Sequence, residues 1–421
     1  MIEIPIFERK RLSINRAEKY KKIRSLSIEI CSKLNDEENN LQYSIDVSPN
    51  LWHLAHTSWF FEQMILINLF NEKAVNQDYL NSFNSYYNSF GKQILKDSRN
   101  GLKYSLNEIL IYRERIDKKI LSLIENHDNK NLNFLIELGL NHEQQHQELI
   151  LADTKFNLFH HNKERVFKTE VPNRFNDDKK SDFVKVEEGI YEIGMNEVGF
   201  FYDNEKGVHK QYIHEFWIND KLVTNGEYLE FIKSGAYDNP LLWHSDAFVW
   251  IKENKVDKPL YWIEKNNEMF EFDLVGGLQE LNLKKVLTHV SYYEAWAFAK
   301  WAGYRLPTEF EWEAASKFLK IENDCTNFID DISSPITVQD FKSQYTGGAW
   351  VWTESSYLPY PFYKQDKGAL GEYNGKFMIN QMVLRGGSCF TPREHFRNTY
   401  RNFFHPEKRW VVTGIRLAKN G

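Results

Sequence analysis

No proline occurs between Pro49 and Pro172 in this 421-residue chain. That gap is the strongest constraint on its fold, because proline kinks or breaks helix interiors. Inside the gap, three long stretches space apolar residues at helical intervals. "SPNLWHLAHTSWFFEQMILINLF" opens with Ser48 as an expected N-cap and Pro49 at the first helical position. "SLNEILIYRERIDKKILSLIEN" starts at Ser105 and brings Ile109, Tyr112, Ile116, Ile120 and Leu123 onto one face. "LNFLIELGLNHEQQHQELILADTKFNLF" is the third. With residues 14–35 these predict four helices, the number needed for a bundle, assigned here to residues 10–165.

The texture then changes. Residues 160–182 are polar and charged and read as a linker or crossing loop. From Phe183 onward, glycine, tryptophan and short β-type runs dominate: "FVKVEEGIYEIGM", "QYIHEFWIND", "VLRGGSCF" and "VVTGIRLA". Two helical pieces interrupt them, "TNGEYLEFIKSG" and "SYYEAWAFAKWAG". Residues 183–421 therefore predict one α+β domain. Neither half shows a repeat.

Charge narrows the function. The net charge of −6 argues against nucleic acid, which calls for a basic patch, and suits a small-molecule ligand. No apolar leader and no run of roughly 18 apolar residues is present, so neither a signal peptide nor a membrane span is expected. Cys31, Cys325 and Cys389 are widely separated and form no CxxC pair. The expectation is a reduced, soluble, cytoplasmic protein.

The chemistry concentrates in "LNHEQQHQEL", residues 140–149. His142 and His146 stand one helical turn apart, so both imidazoles can reach one ion, and Glu143 completes the HExxH pattern of zinc peptidases. Two histidines on a helix face also occur as a plain polar stripe. Here "WHLAHTSWFFE" adds His53 and His56 on another helix, and facing helices of a bundle build metal sites between them. His56 is the expected third ligand and His53 a packed neighbour. The metzincin continuation is absent, although Glu164 and Glu170 remain available as a downstream peptidase ligand. Three imidazoles leave open positions on an octahedral ion, which suits Fe(II) handling dioxygen and substrate together. Residue types alone leave zinc and iron both open.

The motifs resemble a known family. "SPNLWHLAHTSWFFE", "FNSYYNSFG" and "LGLNHEQQHQELILADTK" are similar to the DinB-like bundle of ergothioneine-type sulfoxide synthases. "GYRLPTEFEWEAA", "GGAWVWTESSY" and "VLRGGSCFTPREHFRNTYRNFFHPEKRWVVTGIRLA" are similar to their C-terminal domain, of the formylglycine-generating-enzyme-like, C-type-lectin-related fold. The resemblance covers nearly the whole chain, in order. It implies a non-haem Fe(II) enzyme that uses dioxygen to join a thiol to the imidazole of hercynine, the trimethyl betaine of histidine.

What the resemblance implies for single residues follows. Its iron ligands fall on His56, His142 and His146, and Glu143 is then no peptidase base. Gln145 matches a glutamine that binds the substrate imidazole. Tyr86 or Tyr87 matches a tyrosine that gives a proton and an electron near the metal; a phenol with a pKa near 10 is protonated at rest. In "YRNFFHPEKRW", a loop expected to close over the pocket, Asn402 would hold the betaine carboxylate, and Phe403 and Phe404 would face the trimethylammonium by cation–π contact. Relatives that take γ-glutamylcysteine tend to carry Trp-Asp at the Phe403–Phe404 position, so free cysteine is the expected sulfur donor.

The chain also departs from the family. An arginine- and proline-rich stretch that binds the thiol's carboxylate is replaced by "GKQILKDSRNGLKYS". Lys92, Lys96, Arg99 and Lys103 keep the charge, and Arg99 is the chosen carboxylate ligand because an arginine fork binds bidentately. Formylglycine-generating enzymes bind copper through cysteines, but Cys389 lacks a suitable second cysteine and is read as structural. The alternatives carried forward are an ovothiol-type synthase acting on histidine, a selenium analogue, a zinc peptidase, and a non-catalytic binding module.

Overall fold

The computed structural model describes residues 6–85, 87, 94–169, 182–195, 199–319, 328–329, 345–366, 371 and 374–421, with side chains from residue 15 onward. The chain divides into two compact units, Met1–His161 and Asn162–Gly421.

The first unit is helical. Its elements are α1 (Ile6–Cys31), α2 (Asp36–Asn39), α3 (Asn50–Phe61), α4 (Gln77–Ser82), α5 (Leu106–Asn126) and α6 (Lys130–His161). Four of them are long, and α1, α3, α5 and α6 pack against one another. Helix α5 begins as its sequence demands: the Ser105 hydroxyl accepts from the Glu108 amide while the Glu108 carboxylate accepts from the Ser105 amide. Helix α3 does not begin as expected. Pro49 is its N-cap and Asn50 its first residue. Ser48 is occupied elsewhere, its amide donating to Asp153 and its hydroxyl accepting from Arg99. Every residue of α3 is buried, and the helix runs on as one wider π-helical turn, Glu62–Ile67.

A network of buried charge crosses this unit. Glu143 of α6 is fully buried and takes Arg24 of α1 at 2.6 Å and Arg113 of α5 at 2.8 Å, one on each carboxylate oxygen. Ser27 adds a third donor at 2.7 Å. Arg24 also binds Asp117 at 2.8 Å and the Ser58 hydroxyl at 2.8 Å. Arg113 donates to the Leu54 carbonyl of α3 at 2.8 Å. Burial opposes ionisation of Glu143, yet Arg113 and Arg24 override it and hold the carboxyl down at about 2.

The second unit mixes short sheets and helices. Its strands are β1 (Phe183–Val186), β2 (Gly189–Ile193), β3 (His209–Ile213), β4 (Phe216–Asn219), β5 (Trp262–Lys265), β6 (Glu268–Asp273), β7 (Gly277–Glu280), β8 (Trp350–Ser356), β9 (Met382–Arg385), β10 (Asn402–Phe404), β11 (Thr413–Gly414) and β12 (Ala418–Asn420). Their orders are β1-β4-β12, β10-β9-β8-β11, β2-β3 and β5-β6-β7. Among the described residues four α-helices accompany them, not two: α7 (Asn225–Lys233), α8 (Ser245–Glu253), α9 (Tyr292–Trp301) and α10 (Glu309–Phe318). Helix α10 begins at a Thr308–Glu311 capping box, whereas α8 has no side-chain cap.

Trp312 of α10 lies fully buried in a core with Val186, Ile213, Phe216 and Ile218. In "RGGS", Gly386 and Gly387 take φ of +101° and +72°, the left-handed region where a Cβ is strained. A Cβ on Gly387 would also stand 2.8 Å from the Phe328 ring. Cys389 is buried, and Cys325 lies outside the described residues.

Replacing Glu143 leaves two guanidiniums buried without their anion. Glu143→Gln is expected to destabilise the helical unit by about 3–5 kcal/mol, measured by urea unfolding followed by circular dichroism. A loss under about 1 kcal/mol, the range of an exposed ion pair, would show that the network contributes little.

Candidate metal centre

Helix α6 presents His142 and His146 one turn apart, and α3 presents His56 to the same space. One ring nitrogen from each forms a group whose members all lie within 4.8 Å of one another, and all three residues are buried. Nε2 of His142 and Nε2 of His146 are 3.1 Å apart. His56 Nδ1 donates to the Phe83 carbonyl at 2.6 Å, which fixes the proton on Nδ1. Its Nε2 is buried and, among the described residues, has no hydrogen-bond partner.

Desolvation keeps these imidazoles neutral. Burial pushes His142 down to about 3. Burial, reinforced by the neighbouring imidazoles, puts His56 and His146 well below the ordinary histidine value. Neutral imidazole is the form that ligates a metal. The donor set fits a divalent transition ion, and a cation would relieve both the unpartnered nitrogen and the crowded pair.

Aromatic rings wall the cluster. Trp52 and Trp59 stack on His56 with ring centroids at 4.7 and 5.5 Å. Phe60 lies against His142 at 4.8 Å. Gly139 permits this approach: a Cβ there would come within 2.5 Å of the Phe61 ring.

The other sequence-selected residues fall as follows. Tyr87 is buried, 5.6 Å from Trp59 and 6.5 Å from Phe60 by ring centroids. Tyr86 lies outside the described residues, as does Lys92. Gln145 is half-buried on α6, between the two histidines in sequence. Arg99 is buried, its guanidinium carbon 3.4 Å from the Trp52 ring centroid. Asn402, Phe403 and Phe404 belong to the second unit. They form the edge strand β10 rather than the expected loop, paired with β9. All three are half-buried. Phe403 stacks on Tyr357 at 4.0 Å, and Phe404 meets Trp410 edge-on at 5.1 Å.

Sequence reasoning passed over Asp153. It lies two turns beyond His146, a spacing that keeps it on the same face of α6. It accepts a hydrogen bond from His53 at 2.9 Å, and His53 in turn meets His146 at 2.7 Å. The Phe83 carbonyl left no sequence signal at all.

Comparison with known proteins adds the following. Residues 168–323 match the model of the sulfatase-modifying factor enzyme 1-like domain. The hercynine oxygenase of Mycolicibacterium smegmatis is 29% identical over 241 residues, 51% of this chain and 55% of that protein. Ergothioneine biosynthesis protein 1 of Schizosaccharomyces pombe is 26% identical over 240 residues, 52% of this chain and 28% of that protein. The structure of PvdO from Pseudomonas aeruginosa aligns with 57% of this chain and 94% of its own at 15% identity and a TM-score of 0.36. The chain spans about half the length of the hercynine oxygenases it matches. It resembles the ergothioneine-type sulfoxide synthases.

The buried imidazoles predict an acid-sensitive metal-free protein. Below the ordinary value of 6.5 the unfolded chain binds protons that the folded one refuses until about pH 3 at His142. Stability therefore falls as pH drops from 6.5 toward 3. Each such imidazole adds a slope approaching about 1.4 kcal/mol per pH unit. His142→Gln should flatten the dependence between about pH 6 and 5, read from urea midpoints. An unchanged slope would contradict burial of a neutral His142.

Proposed function

We propose that this chain is a non-haem Fe(II), dioxygen-dependent sulfoxide synthase of the ergothioneine pathway, joining cysteine to hercynine. The observation that carries this reading is the buried three-histidine cluster with its unpartnered His56 nitrogen, in a chain similar to hercynine oxygenases. The helical unit is read as DinB-like, with the metal site in residues 10–165 and the formylglycine-generating-enzyme-like domain in 183–421.

His56, His142 and His146 would hold the iron. When bound, Fe(II) supplies the one-electron chemistry that lets dioxygen oxidise a thiol and an imidazole carbon together. The chain's own residues do the rest. Trp52, Trp59 and Phe60 exclude water from the histidines. Tyr87, buried against two of these rings, is the better-supported proton and electron donor, with Tyr86 as the other candidate. Gln145 is assigned the substrate imidazole. Arg99, packed on the tryptophan that stacks on His56, is assigned the thiol's carboxylate. Asn402 is assigned the betaine carboxylate, and the half-buried rings of Phe403 and Phe404 the trimethylammonium.

The zinc-peptidase reading loses its base. Glu143 is fully buried, ionised and held by two arginines, so no water or peptide can reach it.

Anaerobically purified protein should contain about one iron per chain and consume oxygen only when cysteine and hercynine are both present. His56→Ala and His142→Ala should each lower iron content and abolish turnover. Tightly held zinc with peptide hydrolysis would overturn the assignment. Preference for unmethylated histidine would move the chain to the ovothiol type, and a requirement for γ-glutamylcysteine would remove the argument from the phenylalanine pair. Phe404→Leu should raise KM for hercynine about tenfold with little change in kcat, since a cation–π contact is worth about 0.5–2 kcal/mol.

A further inference from the structure

His53 does not join the three-histidine group, yet it is tied to it by a continuous path. Its Nε2 meets Asp153 Oδ2 at 2.9 Å, and its Nδ1 meets His146 Nδ1 at 2.7 Å. All three residues are buried. Asp153 Oδ2 also accepts the Ser48 amide at 2.8 Å, so the carboxylate is aimed from the backbone at the start of α3.

The donor and acceptor roles along this path are constrained. An ionised carboxylate only accepts, so the proton on the first link sits on His53 Nε2. A neutral His53 then offers a lone pair at Nδ1, and His146 must supply the proton there. His146 is left with its lone pair on Nε2, the nitrogen that faces His142 Nε2 at 3.1 Å. We infer that Asp153 and His53 are positioning residues: a carboxylate–imidazole relay that sets the tautomer and ring orientation of His146 so that Nε2 is its metal-binding atom. His56 reaches the same state by a shorter route, through the Phe83 carbonyl. Metal-ligating histidines need such an outer partner, and its loss typically costs 10–100-fold in affinity. Here the partner is a second histidine, which places the anion one ring further from the ion. The inference rests on the reading of His56, His142 and His146 as a metal site.

The relay makes opposite demands on variants of similar size. Because one oxygen of Asp153 accepts from both the Ser48 amide and His53, an asparagine could keep its amide oxygen there. Asp153→Leu removes that acceptor, so nothing holds the His53 proton on Nε2 and the His146 proton is free to move to Nε2, blocking the ligand nitrogen. His53→Leu removes the acceptor altogether. His53→Asn restores one, because its Oδ1 stands near the position of the lost Nδ1. The test is titration of metal-free, full-length protein with Co²⁺, followed by visible absorption, with circular dichroism confirming the fold. Asp153→Leu and His53→Leu should each weaken Co²⁺ binding about 10–100-fold and alter the ligand-field bands. His53→Asn should recover most of the affinity. Unchanged binding in Asp153→Leu and His53→Leu, beside normal wild-type binding, overturns the relay alone. So does a His53→Asn variant as weak as His53→Leu. Complete loss of binding in His53→Leu, equal to that of His56→Ala, also overturns it by making His53 a ligand. Failure of the wild type to bind Co²⁺ at all overturns the metal-site reading and the relay with it.

Discussion

The helical unit is organised around one buried anion. Glu143 lies at zero exposure between Arg24 and Arg113, and these two arginines reach on to Asp117, Ser58 and the Leu54 carbonyl. The network therefore touches α1, α3, α5 and α6 at once. Buried charge is tolerated only when geometry and hydrogen bonding are complete. Any rotation or slide of α6 would break contacts to two other helices together. The rotation of α6 is the variable the histidine cluster needs fixed, because His142 directly precedes Glu143 and His146 follows one turn on. A residue that looks like a catalytic base by its neighbours instead locks the helix that carries the histidines.

The centre itself runs against folding. Burying several neutral imidazoles forfeits their hydration and crowds their nitrogens, with Nε2 of His142 and Nε2 of His146 3.1 Å apart. Stacked tryptophans recover apolar burial around them, and outer hydrogen bonds from Phe83 and the His53–Asp153 pair hold ring orientations. Polar crowding thus concentrates where a cation would relieve it, inside a buried, aromatic surround. The same desolvation removes any competing protonated state near neutral pH.

Resemblance and geometry contribute different things. The sulfatase-modifying factor enzyme 1-like match concerns residues 168–323, all within the second unit, whereas the histidine cluster lies in the first. The matched domain by itself therefore says nothing of a metal; the group that could hold one is the buried histidine cluster of the helical unit. Strand β10 illustrates the reverse. Its Asn-Phe-Phe triplet was chosen by resemblance as a pocket loop, yet backbone pairing with β9 fixes its conformation, and stacking on Tyr357 fixes one of its rings.

Much was determined by sequence alone. Helical periodicity within the proline-free interval specified three of the four long helices, glycine- and tryptophan-rich β runs specified the mixed half, and i,i+4 spacing put His142 and His146 on one face. These are local properties, set by backbone geometry within a few residues. Tertiary structure decided the rest. Helix α3 is buried on every side, so no polar–apolar contrast along it could say whether His53 or His56 faces the cluster. Only the positions of α6 and the Phe83 carbonyl separate them. Glu143 reads the same in a peptidase and in a structural clamp until Arg24 and Arg113, 119 and 30 residues away along the chain, are seen to reach it. Partners so distant in sequence are chosen by packing, and local pattern carries no record of them.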